Sequence, residues 1–260
     1  MTVEANYLNP FEIADSILSR NIRIECLGYN NGKYNCAVQV QSEWYSVDTL
    51  CKIGISEIES LKKTLHIILK DKIDKEQATD ISLGNGCISM GIILHITGSV
   101  ELKMKVTSAH WDCSFCLMSD TSSLFGVMDN CDDWLKVDVP FIIKNAANQN
   151  SSPYRLSLHK TKDYGDYSEL LLKISNENLQ LYRSFKSWKN ELDNFYNGLK
   201  HFELYDMSLS FCPLGEFICL NITKKDNNHY MLNSEILCHI HERSDTLHIN
   251  GDLSQITCSP

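Results

Sequence analysis

Ser187–Phe202 reads SWKNELDNFYNGLKHF. Trp188, Leu192, Phe195, Leu199 and Phe202 recur every three or four residues, with charged and amide residues between them. That period marks an amphipathic helix, because 3.6 residues per turn return a side chain to the same face. Much of the surrounding chain alternates with the two-residue period of β-structure. An earlier stretch, Ile55–Leu69 (ISEIESLKKTLHIIL), sets Ile58, Leu61, Leu65 and Ile68 on a similar stripe. The two stripes match at an offset of 134 residues: Ile58 with Leu192, Leu61 with Phe195, Leu65 with Leu199, Ile68 with Phe202.

Working outward, shorter matches keep the same order. Pro10-Phe11-Glu12-Ile13 is answered by Pro140-Phe141-Ile142-Ile143, and Leu94-His-Ile-Thr97 by Leu220-Asn-Ile-Thr223. Asp120-Thr-Ser-Ser-Leu124 is answered by Asp252-Leu-Ser-Gln-Ile256. Asn9-Pro10 fits the cap and first position of a short N-terminal helix. Asn30-Asn31-Gly32 is a hairpin turn between strands at Ile22–Leu27 and Tyr34–Gln41, since Asn-Gly tolerates positive φ. Ser56 and Glu59 form a capping-box pattern. A helix with one apolar stripe must bury it, and an alternating sheet has one face to cover. The predicted fold is therefore α+β: two tandem repeats, residues 1–136 and 137–260, each a curved antiparallel sheet of about six strands packed on one amphipathic helix.

The chain has 260 residues, 43% apolar and 22% charged, ordinary values for a globular protein. Its net charge is −9 and is uneven: residues 1–135 carry 11 Lys/Arg against 18 Asp/Glu, residues 136–260 carry 13 against 15. An acidic chain is ill suited to a phosphate backbone, and no basic patch with interleaved aromatics stands out, so nucleic acid is not the expected partner. Acidity suits a basic protein partner, and equally suits solubility alone. No apolar run approaches the roughly 20 residues that span a bilayer, so no membrane is expected. Met1-Thr-Val-Glu lacks an export signal, and 11 irregularly spaced Cys fit reduced thiols; the expected compartment is the cytoplasm.

Chemical motifs are sparse. Cys113-Ser-Phe-Cys116 has no second CxxC and reads as two small thiols within a strand. His239-Ile-His241 puts two imidazoles on one face of a strand, with His248 and His229 in the same region. This pair either starts a metal site or occupies exposed positions of an edge strand. His110-Trp-Asp-Cys113 gathers triad residue types, but triads are built in space. Gly84-Asn-Gly86 precedes a strand and not the helix that a phosphate cradle needs. Asp163 and Asp166 flank Tyr164-Gly165 in a turn. No catalytic residue, cofactor or metal is assigned. Asp129, Asp132 and Asp133 surround Trp134. They are either an anchor for a basic partner or a solvated linker with Trp134 tucked into the domain.

Four features together resemble the WapI-like immunity proteins: the alternating strands, the helix Trp188-Lys-Asn-Glu-Leu-Asp-Asn-Phe-Tyr-Asn-Gly-Leu, the Leu-x-Ile-Thr strand and the later Asp-x-Ser-x-Ile. Proteins of that family accompany wall-associated and Rhs-type polymorphic toxins of interbacterial competition. The resemblance is best over Arg155–Ile256 and weaker over Ile22–Leu124, which implies a doubled form of a usually single unit. It implies no enzyme activity, no active-site residues and one cognate toxin domain as partner. Other readings are a metal- or ligand-binding β-rich protein, an enzyme included, that uses His239 and His241, and an accessory subunit of a larger assembly.

Overall fold

The computed structural model describes residues 8–70, 77–137, 140–142, 152–202, 208–215, 218–226, 229–240 and 243–259, with the side chains of all but 77, 141, 226, 238–240, 243, 244 and 259. The chain divides into two compact units. One comprises residues 1–43, 47–108 and 114–149, the other residues 44–46, 109–113 and 150–260.

In the first unit, β1 (Phe11–Ala14), β2 (Asn21–Asn30), β3 (Lys33–Gln41) and β4 (Tyr45–Gly54) precede helix α1 (Ile55–Lys70). Then come β5 (Gln77–Leu83), β6 (Ile88–Leu94), β7 (Ser99–Thr107), β8 (Trp111–Asp120), helix α2 (Thr121–Leu135) and the short β9 (Phe141–Ile142). Tyr45, Ser46 and Trp111–Cys113 are counted with the other unit. Alternation does what the sequence predicts: Tyr34, Cys36, Val38 and Val40 of β3 are all buried. Asn31 (φ 52°) and Gly32 (φ 73°) make the expected positive-φ turn between β2 and β3. α1 buries the predicted stripe of Ile58, Leu61, Leu65 and Ile68. Its cap differs from the Ser56/Glu59 pattern: Glu57 Oε2 accepts from Gly54 N at 2.7 Å, because the helix begins at Ile55.

In the second unit, β10 (Tyr154–Asp163), β11 (Tyr167–Ser175) and β12 (Leu179–Trp188) form an antiparallel meander that leads into α3 (Lys189–His201). β13 (Ser208–Phe211), β14 (Ile218–Asp226), β15 (His229–Ile240) and β16 (Arg243–Ser259) follow. The predicted helix stripe is again largely inward. Leu192, Phe195 and Phe202 are buried, and Phe195 stacks on Phe211 at 4.6 Å. Leu199 is half-buried, and Trp188, the N-cap residue, is 49% exposed. Glu191 accepts from Trp188 N at 3.1 Å and from Leu214 N at 3.1 Å, which ties the helix start to the segment after β13.

The expected architecture of two repeats, each a separate antiparallel sheet on one helix, does not hold. Strand outweighs helix, the second unit's sheet is mixed and not purely antiparallel, and there are three helices among the described residues, two of them in the first unit. Three local facts explain the difference. First, Asp120-Thr-Ser-Ser-Leu124 is a helix start: Asp120 is the N-cap of α2, and Leu124, Val127, Cys131 and Trp134 are its buried stripe. The counterpart Asp252–Ile256 continues β16. Second, Phe11–Ala14 is a strand and not a helix, with Phe11 and Ile13 buried against β2. Pro140-Phe141-Ile142 also ends beside β2, through Tyr29↔Phe141 and Gly28↔Ile142. Third, β16 is antiparallel to β15 along its first part but parallel to β10 along its last, from Tyr154↔Leu253 to His159↔Ser259.

Two substitutions test this packing in urea unfolding. Phe195→Ala removes the ring stacked on Phe211 and should cost about 3–5 kcal/mol. Gly251→Ala would place a Cβ 2.7 Å from Tyr154 Cε2 and 3.2 Å from Cδ2, so it should destabilise by about 1–3 kcal/mol. Unchanged melts would remove the buried-helix and close-approach readings respectively.

Candidate functional site

The acidic stretch chosen from sequence lies on α2, and helical geometry splits it. Trp134 is 0% exposed. Its ring stacks on Phe11 at 4.3 Å and lies 4.9 Å from Tyr34, and its indole N–H donates to Asn9 O at 2.9 Å. The Tyr34 hydroxyl donates to the Trp134 carbonyl. Trp134 is therefore a core residue and presents no ring to a partner. Asp132 pairs with Lys62 of α1, and Asp133 with Lys136 at 2.9 Å. Both pairs are solvent-accessible and contribute little to stability. Asp129 and Asp133 share an exposed stripe with Phe125, which is 44% exposed. The aromatic beside those carboxylates is thus Phe125, about two and a half turns before the Trp134 chosen from sequence.

A larger exposed aromatic surface forms on the second unit, where sequence separation hides it. The register of β11 against β12 sets Tyr167 opposite Trp188, Glu169 opposite Lys186, Leu171 opposite Ser184 and Lys173 opposite Tyr182. These residues fall on the strand face opposite the core stripe of Ser168, Leu170, Leu172 and Ile174. Tyr164, in the β10–β11 turn, stacks on Tyr167 at 4.7 Å, and Trp188 meets Tyr167 edge-on at 6.3 Å. Lysines lie over the rings: Lys162 over Tyr164 at 4.9 Å, Lys186 over Tyr167 at 5.4 Å and Lys173 over Tyr182 at 5.6 Å. Such contacts hold a ring in place while leaving it at the surface. Tyr182 is 49% exposed and Tyr164 42%.

The turn that carries Tyr164 is fixed from within. Gly165 adopts φ 89°, and its N–H donates to Asp163 Oδ1 at 2.9 Å. That N–H, with Lys160 Nζ at 3.4 Å, holds the Asp163 carboxyl below its usual value of 3.8.

The other sequence candidates do not converge. Cys113 and Cys116, three apart in β8, face opposite sides of the strand. Gly84-Asn-Gly86 is a positive-φ turn that leads into β6. The His110 carbonyl accepts from Asn250 N at 2.7 Å, a backbone role. The His239 side chain and all of His241 lie outside the described residues. Among the described residues no group of three His, Cys, Asp or Glu is placed to hold a metal, and no helix is long and apolar enough to cross a membrane. Not every thiol is reduced: Cys212 and Cys219 are joined in a disulfide. No family model, curated protein or solved structure matches the chain.

Two measurements check this geometry. Trp134→Ala should lower unfolding free energy by about 3–5 kcal/mol, whereas Phe125→Ala should stay within about 0.5 kcal/mol. The reverse order would return Trp134 to the surface. Because the folded pKa of Asp163 is depressed, its contribution to stability is complete above the unfolded pKa and is lost as pH falls through the folded one. Asp163→Asn should therefore flatten the fall in melting temperature below about pH 4, and a parallel pH profile would contradict the assignment.

Proposed function

We propose that this chain is an immunity protein of the cytoplasm that binds and neutralises a cognate bacterial toxin domain by direct contact. The observation that carries the reading is the aromatic face of β11 and β12: Tyr164, Tyr182 and Trp188 are exposed and Tyr167 is half-buried beside them, with lysines and Glu169 among them. Tyr and Trp are the residues that dominate protein–protein affinity, since each brings a large rigid area at small entropic cost. A patch of this kind left open to water marks an interaction surface. The mixed charges around it suit a protein partner, which can answer each sign locally.

The net charge of −9 supports the same reading at longer range. A basic toxin domain is drawn toward an acidic chain before contact, which speeds encounter and biases partner choice. The resemblance of Arg155–Ile256 to WapI-like immunity proteins names the class of partner and falls on the segment that carries the aromatic face.

The test is co-expression with the toxin domain encoded beside this gene. Growth should stop with the toxin domain alone and return with this chain, and the two should co-purify. Trp188→Ala keeps the backbone N–H that caps α3. It should weaken binding about 30-fold, the equivalent of about 2 kcal/mol at a hot spot, with an unchanged melt. The association rate should fall as salt rises. A harmless neighbour, or a toxin that still kills and does not bind, would overturn the proposal.

A further inference from the structure

Four thiols of the first unit lie across neighbouring elements. Cys26 and Cys36 sit directly opposite one another in β2 and β3, both buried. Their thiols end on backbone carbonyls, Cys26 on Gly28 O and Cys36 on Tyr34 O, each at 3.6 Å. Cys51, on β4, hydrogen-bonds to Cys36, and Cys87, just before β6, hydrogen-bonds to Cys51. Cys51 and Cys87 are half-buried, whereas Cys36 is sealed in the core.

Gly84 lets the outer two meet. It adopts φ 65°, and a Cβ there would sit 3.1 Å from both Cβ and Sγ of Cys51 and 3.3 Å from Cys87 Cβ. The two cysteines therefore flank one point that only a glycine leaves open. The turn is also tethered to the start of α1, since Glu57 accepts from Asn85 N at 3.3 Å and from Gly54 N at 2.7 Å. Two cysteines that flank one point, on backbone segments tethered to each other, are neighbours, which is the first requirement of a disulfide.

We propose that Cys51 and Cys87 are a thiol–disulfide exchange site for low-molecular-weight disulfides, closing into an internal disulfide. In the first step the Cys51 thiolate attacks one sulfur of the small disulfide. A mixed disulfide forms on Cys51 and one small thiolate leaves. In the second step the Cys87 thiolate attacks the Cys51 sulfur of that mixed bond, the Cys51–Cys87 bond forms and the second small thiolate leaves. The two protons lost by the cysteines end on the two released thiols, so the protein is oxidised by two electrons and the small disulfide reduced by two. The bond to Cys36, with burial, holds the Cys51 thiol above its ordinary range, and the bond from Cys87 opposes that only in part. Cys87 is also held above that range, by its bond to Cys51 and by burial. The exchange is therefore slow at neutral pH and accelerates as pH rises. The product links the junction of β4 and α1 to the turn before β6 and encloses α1 in a covalent loop.

The test uses the full chain in its native state with glutathione disulfide as the probe. After acid quenching and alkylation, peptide mapping should show Cys51 linked to Cys87 and a loss of two alkylatable thiols, both restored by dithiothreitol. Cys87→Ser should accumulate glutathione on Cys51, which the wild type resolves, and Cys36→Ser should still form the Cys51–Cys87 link. Separate alkylation of Cys51 and Cys87 after oxidant, glutathione retained on either in the wild type, or a link from Cys51 to any other cysteine would overturn the proposal. The wild-type map decides even where a serine variant fails to fold. None of these outcomes depends on the toxin partner.

Discussion

The first unit depends on the burial of one indole. Trp134 brings together three parts of the chain that share no local sequence signal: Asn9 and Phe11 at the start, Tyr34 on β3 and the last turn of α2. Its ring fills the space between them, and its one polar atom is satisfied by a backbone carbonyl, as a fully buried indole requires. The Tyr34 hydroxyl closes the arrangement on the Trp134 carbonyl, and burial raises that hydroxyl's pKa well above the ordinary phenol value. Given that ring in the core, α2 must present Leu124, Val127 and Cys131 inward and Phe125, Asp129 and Asp133 outward. The second unit has a comparable centre in the stack of Phe195 on Phe211.

Much of this is legible in sequence wherever a local period decides the structure. The stripes of α1 and α3, the Asn31-Gly32 turn and the alternation of β3 are all of that kind. The period of α2 was also present, in Leu124, Val127, Cys131 and Trp134, but the intervening Asp and Asn residues give the same stretch the composition of a linker. In sequence, that competition makes Trp134, Asp129, Asp132 and Asp133 look like one group. A helix places the residues of such a run on different sides. The parallel pairing of β10 with β16 has no local signature at all, because direction is set by the path of the chain between the two strands.

The aromatic face fails to appear in sequence for a related reason. Tyr164 and Tyr167 are separated from Tyr182 and Trp188 by most of two strands, and each alone is an ordinary strand or turn residue. Hairpin register converts that separation into adjacency, and the lysines that read as scattered solubilising charge become the caps of rings. A surface of this kind is stiff before any partner arrives, since a packed sheet sits behind it and less order remains to be imposed on binding. The exposed rings and the Cys51–Cys87 pair belong to different units.

The double role of β16 bears on how the second unit comes into being. Its first part continues a simple hairpin with β15, a local pairing that can form quickly. Its last part must find β10, which precedes every other long strand of that unit. Closing so long a loop costs entropy before any contact offsets it. Until it closes, β10 carries an unpaired row of backbone groups along one side, the kind of edge that recruits strands from other chains. A chain in which this pairing forms last keeps that edge open to its neighbours for as long as the closure takes.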